Sequence, residues 1–254
     1  MDYVSIIFTH YSQKNPDDKK NDNIRSKIFN NCLLSLKENT NYSTEVIVID
    51  NGGYCDDSDW LLNLVRKGII NHYIRNKDNQ HWAWGWNKGV AIAEGNYIFL
   101  ANNDILFKKN WLSETIKPLL EYPNKKLVAC PMITRHNYNI GLLDNKYRLN
   151  FWGQPNAVLM KKSIYQEIGN HDIHYLAGGP WWEKLVNSGY VSVAPMNDYA
   201  ESIGVGHGQD TKKENILIQK TLLNGVKITY KGIGYQVKNI KKLYELNYPK
   251  GFNI

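Results

Sequence analysis

The chain has 254 residues, of which 43% are hydrophobic and 22% charged, a balance that excludes intrinsic disorder and fibrous repeats and suits one large domain with an extension. Lysine and arginine number 31 against 24 acids, a formal net charge of +7. The surplus is local: residues 211–254 hold nine lysines against Glu214 and Glu245, and the 22 basic and 22 acidic groups before them cancel.

That asymmetry predicts a neutral body, residues 1–210, followed by a basic C-terminal extension, residues 211–254, packed on the body or flanking it. Met1-Asp2-Tyr3 lacks the positive charge that opens a secretory leader, and no run reaches the ~20 apolar residues that span a bilayer. Cys32, Cys55 and Cys130 are odd in number and far apart, which fits a reducing compartment. The expectation is a cytoplasmic protein whose contact with a membrane, if it has one, is peripheral.

In chain order, Val4-Ser5-Ile6-Ile7-Phe8 has the pattern of a buried strand, and Ile24, Ile28, Cys32, Leu33 and Leu36 recur at helical spacing. Val46-Ile47-Val48-Ile49 is too apolar for a half-exposed strand and stops at Asp50-Asn51-Gly52-Gly53. A helix around Trp60, Leu61, Leu64 and Val65 leads to a strand over 69–74, and a short helix over 87–94 precedes the fourth strand, Tyr97-Ile98-Phe99-Leu100. This alternation predicts a mostly parallel sheet covered by helices on both faces. Beyond Leu127 the pieces are shorter, with a helix over 163–168 closed by Gly169 and another opened by Pro180 and closed by Gly189.

Ligands of such sheets bind at the carboxyl ends of the strands. The polar residues there are Thr9, His10 and Tyr11, then Asp50 and Asn51, then Asn102, Asn103 and Asp104. Asp104 follows a buried strand, an address where a carboxylate holds Mg²⁺ or Mn²⁺ on a diphosphate, although Asp and Asn equally suit a turn or a helix cap. Asp50 is placed to accept a base N–H, with an Asn-Gly turn as the plain alternative. His81-Trp82-Ala83-Trp84-Gly85-Trp86 offers indoles that cannot all face a core, so one of them, such as Trp84, is a candidate stacking surface. His207 lies in Gly204-Val205-Gly206-His207-Gly208, the frame of a loop able to add a nitrogen ligand to a metal. The glycine fingerprints of dinucleotide and P-loop sites are missing.

These strand ends, together with Asn87-Lys88-Gly89 and the run from Gly95-Asn96-Tyr97 to Asn102-Asn103-Asp104, resemble the family 2 glycosyltransferases of the Rossmann-like GT-A fold over roughly residues 3–210. The resemblance implies a nucleotide-sugar half over 1–104 and an acceptor half over 105–210. It implies a UDP- or dTDP-linked sugar donor contacted by Thr9, Tyr11, Asp50, Asn51, Trp84, Asn87, Asn102 and Asn103, with Mn²⁺ or Mg²⁺ on Asp104 and His207. The acceptor is then a saccharide or a lipid-linked glycan, and transfer uses a carboxylate base. Gly178-Gly179-Pro180-Trp181-Trp182-Glu183 resembles the Gly-Gly-Glu-Asp-x-Glu helix start that supplies the base in relatives. Pro180 and Trp181 occupy the Glu-Asp positions, which leaves Glu183 and, second, Asp172 as candidates.

The extension reads as a capped helix from Thr211 to Gly225, a strand through Val226, Ile228 and Tyr230, and a helix with Val237, Ile240, Leu243 and Tyr244 on one face and Lys238, Lys241 and Lys242 on the other. Such a face meets an anionic membrane surface, nucleic acid or solvent. Two alternatives therefore stand beside the saccharide transferase: a glycosyltransferase acting on DNA bases, as some phage-encoded enzymes do, and a sugar-nucleotide-binding module without catalysis.

Overall fold

A computed structural model of the chain describes residues 2–11, 24–52, 55–77, 79–132, 139–150, 156–171, 178–203, 228–230 and 233–235. It divides into two compact units, Met1–Gly206 and His207–Ile254.

The first unit opens with four parallel strands separated by helices. They are β1 (Val4–His10), α1 (Ile24–Asn39), β2 (Thr44–Asp50), α2 (Cys55–Arg66), β3 (His72–Arg75), α3 (His81–Ile92) and β4 (Tyr97–Ala101). There follow β5 (Ile105–Phe107), α4 (Trp111–Glu121), β6 (Leu127–Ala129), β7 (Asn139–Leu143), β8 (Tyr147–Asn150), β9 (Ala157–Lys161), α5 (Lys162–Ile168), α6 (Gly178–Asn187), β10 (Val191–Pro195) and β11 (Ala200–Ser202). Nine strands form one sheet in the order β3-β2-β1-β4-β9-β6-β10-β8-β7, and β5 pairs separately with β11.

The expected mostly parallel sheet is in fact mixed. The pairs among β3, β2, β1 and β4 and the pair β6–β10 are parallel, whereas β9 runs antiparallel to both its neighbours and β8 and β7 run antiparallel at the far edge. The apolar run Ala157 to Met160 enters between β4 and β6 from the opposite direction, a long-range pairing that no local pattern encodes.

Helices cover both faces, as alternation along the strands requires. Val4, Ile6 and Phe8 of β1 point to the side of α1, α2 and α4, where Phe29, Leu33, Leu61, Trp111 and Ile116 complete one core. Ile7, Ile47, Ile49, Ile98 and Leu100 point to the side of α3, α5 and α6 and meet Trp86, Val90, Ile164, Tyr165 and Trp181. Helix α3 begins six residues before the expected start at 87, so the tryptophan run is its first turns. Helix α4, absent from the sequence-based expectation, carries Pro118 in its interior, which interrupts the pattern that announces a helix. Cys32 and Cys130 are free and buried, and burial pushes the Cys32 thiol well up. No described helix is long and apolar enough to cross a membrane.

Of the second unit the described residues form one antiparallel pair, β12 (Ile228–Tyr230) and β13 (Ile233–Tyr235), in the register Ile228 opposite Tyr235. The expected strand through Ile228 and Tyr230 is thus present, while the two expected helices of 211–254 lie outside the described residues.

At the amino edge of the sheet, the Glu45 carboxylate accepts hydrogen bonds from Ser5 Oγ at 2.5 Å and from the Glu94 N–H at 2.7 Å, and lies 3.0 Å from His72 Nε2. Ser5 Oγ in turn accepts from the Gly95 N–H at 2.8 Å. A Cβ at Gly95 would lie 2.7 Å from Ser5 N and Tyr97 O, backbone atoms that cannot step aside. Gly95→Ala is expected to cost about 1–3 kcal/mol, read as a lower urea midpoint with an unchanged m-value.

Candidate functional site

The parallel strands β1, β2 and β3 end level with one another, His10 opposite Asp50 and Asp50 opposite Arg75. The ladder then continues into the loops: the Asn51 N–H donates to His10 O at 2.8 Å and the Asn76 N–H to Asp50 O at 2.7 Å. One edge therefore gathers Thr9, His10, Tyr11, Asp50, Asn51, Asn76 and, beyond β4, Asn102 to Asp104.

Asp50 is fully buried. Its Oδ1 accepts from the Gly52 N–H at 3.1 Å, its Oδ2 accepts from the Tyr73 hydroxyl at 2.8 Å, and Arg75 Nη1 lies 3.6 Å from Oδ2. Burial and the hydrogen bond to Asp50 push the Tyr73 phenol well up, so Tyr73 stays a donor. Beside Asp50, Asn51 Oδ1 accepts from Asn76 Nδ2 at 2.7 Å, and Asn76 Oδ1 accepts from Lys88 Nζ at 2.5 Å. Asn76 and Lys88 were not among the sequence candidates. The available signal was positional: Asn76 follows β3 as Asn51 follows β2, and Lys88 stands inside the Asn-x-Gly motif.

Asp104 is 2% exposed in the turn between β4 and β5, and its carbonyl accepts from the Ile203 N–H at 2.9 Å. Half-buried Asn103 places Nδ2 2.9 Å from Nδ1 of His10, whose ring stacks on Phe29 at 4.8 Å. The Asn102 N–H donates to Asn156 O at 2.8 Å. Among the described residues no group of three or more His, Cys, Asp or Glu side chains could hold a metal ion. This donor set, one carboxylate and two asparagines in a single turn, fits a hard divalent ion that draws its other ligands from phosphate and water.

On α3 the tryptophans divide as the helical period dictates. Trp86 is buried, Trp82 packs edge-on to it at 4.6 Å, and Trp84 lies on another face with Lys88 Nζ 5.8 Å from its ring centroid. Thr9 is held by this helix: its Oγ1 donates to Trp82 O at 3.1 Å, and a side chain at Gly85 would strike it.

Asn87 does not face the strand-end cluster. Its Nδ2 donates to His171 O at 2.8 Å, and its Oδ1 accepts from the His171 N–H at 3.0 Å and from the Tyr165 hydroxyl at 2.5 Å. Asn87, expected as a nucleotide-sugar contact, thus forms a clamp joining α3 to α5. His171 also stacks on Trp181 at 4.4 Å and 11°, and the Trp181 indole N–H donates to Gly169 O at 2.8 Å. Trp181, at a position where relatives carry an acid, is thus a buried wall of this clamp. Glu183, one residue beyond Trp182, is half-buried, and burial raises its carboxyl above the ordinary value. Asp172 and His207 lie outside the described residues.

The fold is of the α/β class in which ligands bind at the carboxyl ends of parallel strands. The chain belongs to glycosyl transferase family 2, whose model matches residues 22–181. The match begins after β1 and ends inside α6. Curated proteins give no match to the chain. A family 2 glycosyltransferase moves a sugar from a nucleotide sugar to an acceptor.

Burial, with a lesser contribution from Lys184, lowers the His171 imidazole to about 3 from 6.5. A lowered folded-state value means that the unfolded chain binds the extra proton between these limits, so this group favours folding above pH 6.5 and loses that contribution as pH falls toward 3. Between pH 7 and pH 5 the loss is about 2 kcal/mol. Urea unfolding at the two pH values should show His171→Asn, which cannot titrate, with a shallower drop in stability than the wild type by about that amount.

Proposed function

We propose that the protein transfers a sugar from a UDP- or dTDP-linked donor to a hydroxyl of a saccharide or lipid-linked glycan, with inversion at the anomeric carbon. The observation that carries this reading is the convergence of Asp50, Asn51, Asn76 and Asn102 to Asp104 on one sheet edge in a family 2 chain.

The donor lies along that edge, its base toward the ends of β2 and β3 and its diphosphate toward the turn after β4. Thr9 and Tyr11 border it at the end of β1. Asp104, with Asn102 and Asn103 beside it, would hold Mn²⁺ or Mg²⁺, and His207 is the proposed nitrogen ligand. The metal, when bound, offsets charge that grows on the leaving phosphate. In the transfer itself the acceptor oxygen bonds to the anomeric carbon as that carbon's bond to the phosphate oxygen breaks, and the hydroxyl proton passes to a carboxylate. Glu183 is the proposed base, since burial raises its proton affinity. Asp172 is the second candidate. The basic extension, residues 211–254, is the proposed docking element for an anionic surface, either a membrane or nucleic acid.

With Mn²⁺ and a panel of sugar nucleotides, the protein is expected to hydrolyse its donor slowly, and Asp104→Ala is expected to abolish that turnover. A thermal shift with a donor but no hydrolysis of it would favour a binding module without catalysis, and absence of both with every donor would overturn the reading.

Once the acceptor is found, Glu183→Gln should lower kcat by about 10²–10⁴ with a small effect on KM. The acid limb of the wild-type pH–rate profile should lie above the ordinary glutamate value. An unaltered kcat in this variant would pass the role of base to Asp172.

A further inference from the structure

We propose that Lys88, held by Asn76, reads the base of the nucleotide donor at pyrimidine C4 or purine C6 and selects one with a carbonyl oxygen there, uracil, thymine or guanine, over cytosine or adenine, which carry an amino group at that position. This rests on the donor-site reading above and adds Lys88 to the expected Asp50 as a residue that meets the base.

Asp50 is already engaged by the Gly52 N–H, the Tyr73 hydroxyl and Arg75. These contacts tie the end of β2 to β3, and further polar groups lie beside them. These are Asn51 and Asn76, 1% and 5% exposed, and the Lys88 ammonium.

The helix makes this position available to a lysine. Side chains on an α-helix lean toward its N-terminus, and α3 starts at the carboxyl edge of the sheet and runs away from it. Lys88, seven residues into α3, thus sends its stem back to the edge, where Nζ meets Asn76 Oδ1 and lies near the Trp84 ring. Asn76 takes one of the three ammonium protons. The Trp84 indole N–H is buried and finds no acceptor among the described residues, a second donor beside the ammonium.

The strand order places this cluster at the base end. From β3 or β2 to β4 is two to three strand spacings, about 10–14 Å, a separation of the order of a nucleoside diphosphate. A diphosphate at the turn carrying Asp104 then sets the base against Asn76 and Lys88. An ammonium only donates, whereas an asparagine amide both donates and accepts. Lys88 is therefore the member of the cluster that discriminates. A base carbonyl accepts from it, while an exocyclic amino group would face donor to donor and leave both unpaired.

The test is calorimetric titration of the full chain, with Mn²⁺ present, using UDP, dTDP, GDP, CDP and ADP. The wild type should bind UDP, dTDP and GDP at least about tenfold more tightly than CDP and ADP, the discrimination of one good hydrogen-bonded contact. Lys88→Gln, whose amide can turn its oxygen to an amino group, should bring the UDP-to-CDP ratio to within about twofold, chiefly by tightening CDP. Lys88→Arg, still a donor only, should keep the wild-type ratio. Melting temperatures of both variants establish that they fold. A wild type that binds CDP as tightly as UDP, or a Lys88→Gln variant with the wild-type ratio, overturns this assignment while leaving the glycosyltransferase reading standing. Failure of the wild type to bind any nucleoside diphosphate overturns both.

Discussion

The central constraint on this structure is that β1, β2 and β4 are buried on both faces. A strand with hydrophobic layers on either side has no solvated face for a polar side chain, and an unpaired polar group there is expensive. Hydrogen-bonding groups are driven to the two edges of the sheet, and the edges solve the problem differently. At the amino edge Glu45 is engaged by Ser5, the Glu94 N–H and His72, within the protein. At the carboxyl edge the groups are of several kinds, carboxylate, amide, ammonium and indole N–H, and those of Trp84 and Lys88 retain donors that a ligand can use. The same burial that forms the sheet therefore creates the site at one end of it.

The second constraint joins the first half of the body to the helices that follow β9. Asn87 on α3 holds both the N–H and the C=O of His171, which is walled by Tyr165 of α5 and Trp181 of α6. Kept neutral by burial, His171 can stack between aromatic rings without the desolvation cost of an imidazolium. The Trp181 ring closes the clamp, and a carboxylate in its place would be buried against Tyr165 and His171.

The parts of the fold legible in the sequence are those set by local pattern. Val46 to Ile49 and Tyr97 to Leu100 announce buried strands because β-branched and aromatic runs leave no polar face, and Gly169 and Gly189, at φ +87° and +85°, mark helix ends because that backbone region favours glycine. Pro118 hid α4, and Gly85 among the tryptophans hid the first turns of α3. The insertion of β9 between β4 and β6 was illegible for another reason: its register, Ala101 opposite Ala157 and Tyr97 opposite Lys161, pairs residues far apart in the chain. In the candidate site, Asp50 and Asp104 stand out in the sequence because each follows a long apolar run. Asn76 follows β3, only four residues long, and Lys88 reaches the edge only through the lean of its side chain toward the start of α3.

That lysine also bears on the charge with which the chain presents itself. The excess of +7 belongs to residues 211–254, and the body carries none, so the donor site cannot rely on a general positive field to attract a diphosphate. What matters there is placement. Asn102 is neutral, which spares the proposed place of the phosphates one negative charge, and Lys88 adds one positive charge along the same edge. Both features favour an anionic ligand without altering the net charge of the body, because acids elsewhere balance them. A fixed ammonium two or three strands from the carboxylate of Asp104 gives the edge a direction as well as an attraction. A nucleotide donor, electron-rich at a base carbonyl and anionic at the diphosphate, then has one preferred way to lie along it.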